Sequence, residues 1–257
     1  MSGALAIVGL GPGAAELRTA QAEAALASAT VLVGYGPYLD RVPPRAGQAR
    51  YPSDNRQELD RARHALDLAA SGARVALVSG GDPGVFAMAS AVFEAIEAGG
   101  AGVRGVAVEV VPGISAMLAA AARLGAPLGH DFCAISLSDN LKPWDLVLRR
   151  LTAVAEAGLV IALYNPVSIA RPWQLGAALD HLGTILPPDT PVAFATAIAR
   201  PDERIAVVPL RYSKAQDADM RTLVLVGSPA TRSIARLDGS VWLYTPRASH
   251  ARADSGV

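Results

Sequence analysis

Apolar positions along the chain switch between two periods. Residues 4–8, 74–78 and 106–111 are short, nearly continuous apolar runs, the pattern of strands covered on both faces. Residues 31–33 add a further strand, after which Gly34-Tyr35-Gly36-Pro37-Tyr38 reads as a loop. Helical spacing lies between these runs, at 17–26, at 88–97, and at 56–70 with its stripe of Leu59, Ala62, Leu66 and Ala69. Strands that alternate with helices predict a parallel sheet with helices on both faces.

From residue 115 the texture changes. Residues 115–124 read as a helix that stops at a seam, Gly125-Ala126-Pro127, and residues 130–138 alternate as a strand. Trp144, Val147, Leu148, Leu151 and Val154 form one helical stripe, and Leu175, Ala178, Leu179, Leu182 and Leu186 form another. Between the stripes, 159–164 is a buried strand closing at Asn165-Pro166. Strands then predominate, at 192–196, 204–208, 222–226 and 241–244. The expected fold is therefore α/β in two α/β domains: 1–113 with a mostly parallel sheet, and 114–247 with a mixed sheet, followed by a tail at 248–257.

Three of the predicted strands end in glycine-rich turns. Gly9-Leu10-Gly11-Pro12-Gly13, Ser79-Gly80-Gly81-Asp82-Pro83-Gly84 and Val111-Pro112-Gly113-Ile114-Ser115 each follow an apolar run. Glycine admits positive φ and close approach of a ligand, and ligands of open α/β sheets collect at the carboxyl ends of strands. Gly9, Gly11 and Ala14 satisfy the dinucleotide pattern G-x-G-x-x-A, so a nicotinamide-dependent oxidoreductase stands as an alternative. Two details oppose it. No Asp or Glu ends the second strand at Val33-Gly34-Tyr35, and Pro12-Gly13 interrupts the place where a phosphate-binding helix should start. Asp82 reads either as the cap of the next helix or as part of a pocket.

Composition narrows the classes. Hydrophobic residues make up 51 %, enough for a full core, and 23 basic residues balance 23 acidic ones. That balance removes the general electrostatic case for nucleic acid or an anionic membrane. Lys142 and Lys214 are the only lysines. The longest apolar runs, such as residues 116–122, fall well short of the ~20 residues of a spanning helix. No leader pattern follows Met1-Ser2-Gly3, and Cys133 has no partner for an internal disulfide, so a cytoplasmic protein is expected. His64, His181 and His250 read as surface residues, whereas His130 precedes a strand and is a functional candidate. No metal-ligand spacing and no G-x-S-x-G elbow is present, which leaves positioning of a reactive cosubstrate as the source of chemistry.

The three glycine turns, together with Tyr164-Asn165-Pro166, occur in the order seen in the tetrapyrrole methylases, and the chain resembles that family from Ala4 to about Thr245. Gly34-Tyr35-Gly36-Pro37-Tyr38 and the stretch from Ser136 to Trp144 resemble the branch that methylates C-17 of precorrin-3B and contracts the macrocycle. The resemblance implies S-adenosyl-methionine held in a cleft between the two domains, a tetrapyrrole substrate, and a homodimer. Its cofactor contacts carry over to Leu10, Gly80, Asp82, Val85, Ser115, Ala116, Tyr164 and Asn165, with Thr196 and Ala197 at a late strand end. A polycarboxylate substrate points to Arg18, Lys142, Arg149, Arg171 and Arg200 as its contacts. Ring contraction needs an acid and a base, for which His130, Asp139 and Asn140 are the candidates. Asp139 and Asn140 read equally well as turn residues ahead of Pro143.

Overall fold

In the computed structural model, which describes residues 3–55 and 57–248, the apolar runs of the first half assemble into one sheet. Its elements in chain order are β1 (Ala4–Gly9), α1 (Ala20–Ser28), β2 (Val31–Tyr35), α2 (Gly36–Leu39), β3 (Ala49–Ser53), α3 (Glu58–Ala70), β4 (Arg74–Ser79), α4 (Met88–Ala98), α5 (Ala101–Arg104) and β5 (Ala107–Val111). The strands lie in the order β3-β2-β4-β1-β5, and every pair is parallel.

Alternation along each strand sorts the core into two layers. Leu5, Ile7, Val75 and Leu77 face α3 and α4, where Ala62, Leu66 and Val92 meet them. Val8, Leu32, Ala76 and Val78 face the other way, onto Ala22 and Leu26 of α1. The chain leaving β1 therefore goes to one face, and the chain leaving its neighbour β4 goes to the other. Divergence of adjacent connections at the carboxyl ends opens a binding crevice in α/β sheets. That point falls between the first two glycine turns.

Local chemistry explains where this unit departs from the sequence reading. α1 starts at Ala20 instead of residue 17 because the Thr19 hydroxyl accepts the Ala22 N–H at 3.0 Å, and only a single 3₁₀ turn, Ala15–Leu17, precedes it. Gly36–Leu39, read as loop, forms one helical turn with Pro37 in its first positions. β3 carries no apolar run and holds Pro52, which an edge strand tolerates because one side of its ladder is unused.

The second half begins with α6 (Ala116–Leu124) and continues through β6 (Gly125–Ala126), β7 (Phe132–Ser136), α7 (Trp144–Glu156), β8 (Val160–Tyr164), α8 (Gln174–Gly183), β9 (Pro191–Thr196), β10 (Arg204–Pro209), β11 (Thr222–Val226), β12 (Arg232–Ala235) and β13 (Val241–Tyr244). Its main sheet runs β10-β9-β11-β8-β7, with only β7 and β8 parallel. Ile135, Ile161, Leu163, Phe194 and Val224 pack against Val147 and Leu151 of α7 and Leu175, Leu179 and Leu182 of α8. Gly125-Ala126, expected to be a seam, is instead a short strand parallel to β13, and β12 completes this small sheet.

Two compact units result, Met1–Ala116 with a parallel sheet and Met117–Val257 with a mixed one. Arg56, His250 and the tail expected at 248–257, Ala248 apart, lie outside the described residues. Among the described residues no helix is long and apolar enough to cross a membrane.

Cys133 lies half-buried in β7 against the α7–α8 core, and burial pushes its thiol pKa up to about 11. The thiolate is the reactive form, so Cys133 should resist iodoacetamide near neutral pH and label fully only after unfolding in guanidinium. Rapid labelling of the native protein would contradict this placement.

Candidate functional site

The three glycine turns of the first unit meet at one point. Gly11 and Gly81 exchange backbone hydrogen bonds, the Gly11 N–H donating to the Gly81 carbonyl at 3.2 Å and the Gly81 N–H to the Gly11 carbonyl at 3.0 Å. Both residues have positive φ, +69° and +63°. A methyl group added to Gly9 would lie 2.7 Å from the Gly113 nitrogen, and one added to Gly113 would lie 2.3 Å from the Gly81 carbonyl oxygen. No side chain fits there, so the ends of β1, β4 and β5 close on one another as bare backbone.

Asp82 locks this contact. One carboxylate oxygen accepts the Gly84 N–H at 2.8 Å, and the other accepts the Gly113 N–H at 3.0 Å. It closes its own turn and ties that turn to the one after β5; α4 begins only at Met88, so Asp82 is not that helix's cap. A second clamp comes from Arg41, which no sequence pattern marked. Its Nη2 donates to the carbonyls of Leu10 and Gly11, each at 2.9 Å, and of Gly13 at 3.2 Å. Arg18, expected to meet substrate, holds this clamp instead. It donates to the Arg41 carbonyl at 2.5 Å and pairs with Glu23 at 2.7 Å, with its side chain 5 % exposed.

Beside the locked backbone is a polar group without a partner. Ser115 is 3 % exposed, and its hydroxyl makes no hydrogen bond within the protein. Gly81 lies against it, since a methyl there would be 3.7 Å from the Ser115 Cα. A buried hydroxyl without a partner costs about 1–3 kcal/mol unless something supplies one. Gly80 approaches the Tyr38 ring so closely that a methyl would sit 2.7 Å from it. Val85 follows in the same turn, Ala116 opens α6, and Leu10 is fully buried, with its N–H on the Ser79 carbonyl and only the second lone pair of its own carbonyl left beside Arg41. Phe86, with φ of +50°, is a strained non-glycine residue just beyond. The Tyr35-Gly36-Pro37 segment borders an open hollow of about 350 Å³, together with Ser53 and Gln57. Arg61, 6 % exposed, donates to Ser53 Oγ behind it.

In the second unit, polar groups gather where β7 and β8 end. The Tyr164 hydroxyl accepts the Met117 N–H of α6 at 3.2 Å. Asn165, with φ of +53°, donates from Nδ2 to Ser136 Oγ at 2.9 Å, and Lys142 Nζ donates to the Ser136 carbonyl at 2.7 Å. Desolvation holds the Lys142 pKa below the ordinary lysine value, reinforced by Arg150. Asp139 receives the Gln174 amide on both of its oxygens, at 3.2 and 3.1 Å. Arg171 reaches the Asn165 carbonyl at 3.4 Å. Where β9 ends, Ala197 and Ala199 have φ of +51° and +59°, and Arg200 closes that turn through its N–H to the Ala197 carbonyl.

Several expected site residues are placed elsewhere. His130 precedes the amino end of β7, whereas Asp139 and Asn140 follow its carboxyl end. Five extended residues separate those ends by about 13 Å. Its Nδ1 accepts the Asp131 N–H, so the structure does not bring His130 to the other two candidates. Asn140 is exposed, and Arg149 is exposed on α7. The Thr196 hydroxyl is taken by Thr222 at 2.8 Å, and its backbone is paired in the sheet with Arg204 on one side and Thr222 on the other. His181 is half-buried and bonds Thr152 at 2.8 Å, whereas His64 is exposed as expected, with its ring edge-on against Tyr51.

Known proteins share this fold. The model of the tetrapyrrole (corrin/porphyrin) methylases matches residues 4–212. A Sinorhizobium protein named precorrin-3B C(17)-methyltransferase is 58 % identical over 96 % of this chain and 97 % of its own. The crystal structure of the methyltransferase CobJ superposes with a TM-score of 0.91 at 52 % identity, covering 95 % of this chain and all of that one. A uroporphyrin-III C-methyltransferase from Thermus thermophilus, complexed with S-adenosyl homocysteine, superposes at 0.66 with 25 % identity, over 88 % of this chain and 97 % of that one.

Two substitutions test the geometry. Gly113→Ala should destabilise the chain by about 1–3 kcal/mol in urea unfolding, because the contacted atoms are backbone and cannot yield. Gly183→Ala, at the end of α8 with open space around it, should change stability by less than about 1 kcal/mol. Equal stability of the two variants would contradict the close contact.

Proposed function

The chain belongs to the tetrapyrrole methylases, and from that premise we propose that it methylates C-17 of precorrin-3B and contracts the ring to precorrin-4 in cobalamin biosynthesis, in the cytoplasm. The methyl donor is S-adenosyl-methionine. The observation that carries the reading is the buried, unpartnered Ser115 hydroxyl beside backbone that side chains cannot fill. That site fits a ligand recognised by main-chain groups and one hydroxyl. When bound, S-adenosyl-methionine supplies a methyl group already activated by its sulfonium.

The chain's own residues then have to hold and orient. Leu10, Gly80, Val85, Ser115 and Ala116 offer backbone and hydroxyl contacts, while Asp82 and Arg41 keep the turns in place. Tyr164, Asn165, Thr196 and Ala197 are the further cofactor contacts that the resemblance implies. Fixing two reactants in line contributes about 7–11 kcal/mol in well-oriented cases, so methyl transfer to an electron-rich carbon asks for little acid–base help. Lys142, Arg171, Arg200 and Arg149 are the proposed contacts for the substrate carboxylates, with Arg18 withdrawn because Glu23 and the Arg41 carbonyl occupy it. Asp139 is the proposed acid–base group of ring contraction, with Asn140 beside it and His130 withdrawn. The active form proposed is a homodimer, as the resemblance implies.

Incubation with precorrin-3B and methyl-labelled S-adenosyl-methionine tests the reading. We expect one labelled methyl at C-17 and the absorbance of the contracted ring. A label at another carbon, or on the cobalt-bearing counterpart alone, would overturn the substrate assignment. Ser115→Ala should raise the stability of the ligand-free chain by about 1–3 kcal/mol in urea unfolding, since it removes the unpartnered hydroxyl, and weaken S-adenosyl-methionine binding roughly fivefold by calorimetry, the loss of about one neutral hydrogen bond. Unaltered affinity would remove Ser115 from the site.

A further inference from the structure

We propose that Gln174 is the positioning residue for Asp139 and serves it in both protonation states; this rests on the reading of Asp139 as the acid–base group of ring contraction. Gln174 opens α8 and is 1 % exposed. The other buried positions of that helix, Leu175, Ala178, Leu179 and Leu182, are all apolar and join the core. A leucine would satisfy packing at residue 174 as well. The chain instead buries a primary amide and leaves its Oε1 with no hydrogen-bond partner. Leaving such an acceptor dry is costly, and packing alone does not explain it.

What Nε2 does bond is both oxygens of Asp139, at nearly equal distances of 3.2 and 3.1 Å. The amide therefore fixes the plane of the carboxylate and leaves lone pairs on each oxygen for a substrate group. Both ends of this contact are braced. Trp144, the first residue of α7 after the Asp139 loop, packs edge to face on Trp173, the residue before Gln174, with ring centroids 4.9 Å apart. The aromatic contact ties the residue next to Gln174 to the end of the Asp139 loop, so the geometry of the pair is set before any substrate arrives.

The unpartnered Oε1 gives the amide a second use. In the ionised state of Asp139, Nε2–H donates to the carboxylate. When that carboxylate takes a proton from a substrate hydroxyl, the new O–H becomes a donor and the hydroxyl oxygen keeps the electron pair. A half-turn of the amide then presents Oε1 to accept from the acid. When the acid returns its proton to a substrate oxygen, the amide turns back. A leucine or methionine holds neither state, and a carboxylate would repel the ionised one.

The experiment compares wild type, Asp139→Asn, Gln174→Met and the double variant under single turnover with precorrin-3B. Label incorporation reports methylation, and absorbance reports contraction. We expect Gln174→Met to methylate within about twofold of wild type and to contract at least about tenfold more slowly, with KM for both substrates unchanged. The double variant should be no slower than Asp139→Asn, because Gln174 acts only through Asp139. Wild-type contraction by Gln174→Met, or additive losses in the double variant, would overturn the proposal. Normal contraction by Asp139→Asn would instead sink the Asp139 reading itself, and Gln174 with it. If Gln174→Met melts early, Gln174→Glu keeps a polar group of the same length and should slow contraction equally; normal contraction there would also overturn it.

Discussion

Three backbones meet without side chains where β1, β4 and β5 end. Gly9, Gly81 and Gly113 approach so closely that a single methyl at either outer position would strike a carbonyl oxygen or an amide nitrogen. Everything in the first unit's site follows from that approach. It brings the Asp82 carboxylate within reach of Gly113, and it places Ser115 beside a glycine with positive φ. The topology prepares it, because β1 and β4 are neighbours whose chains depart to opposite faces. Charged side chains act here as clamps on backbone. Arg41 spans three carbonyls, and Arg18 holds the carbonyl of Arg41.

The second unit reaches a comparable end by a different route. Asn165, Ala197 and Ala199 have positive φ without being glycine, and each follows a strand's carboxyl end. Such residues cost about 1–3 kcal/mol apiece and persist where the surroundings over-determine them. The determinants are visible. Asn165 is held to Ser136, the Ala197 N–H to the Arg221 carbonyl, and the Ala199 N–H to Glu203, which Arg123 pairs in turn. Strain and polar side chains thus shape these turns, where glycine shapes those of the first unit.

Periodicity made most of the architecture legible in the sequence. The apolar strands and the helices with clean stripes appear within a few residues of where the pattern puts them, because burial on one or both faces writes a period into the chain. β3, β6 and β12 escaped because edge and two-residue strands bury too little to show one. The glycine turns were legible as motifs, since only glycine satisfies so close a contact. Arg41, Gln174 and the true role of Arg18 were not. Each acts on a backbone carbonyl or a side chain distant in sequence, and no local pattern reports which of many arginines points inward. His130 misled for a related reason. The strand it precedes was legible, but not that the other two candidates would stand at that strand's far end.

The proposed function depends most on the glycine turns holding an adenosyl sulfonium and not a dinucleotide, although Gly9, Gly11 and Ala14 match the dinucleotide pattern. α1 starts only at Ala20, so no long helix amino terminus follows Gly11 directly to meet a pyrophosphate. Calorimetric titration of the intact chain with S-adenosyl-methionine and, separately, with NAD measures the difference. Saturable heat with S-adenosyl-methionine and only dilution heat with NAD is the predicted result. Saturation by NAD with no response to S-adenosyl-methionine would contradict the account at its base.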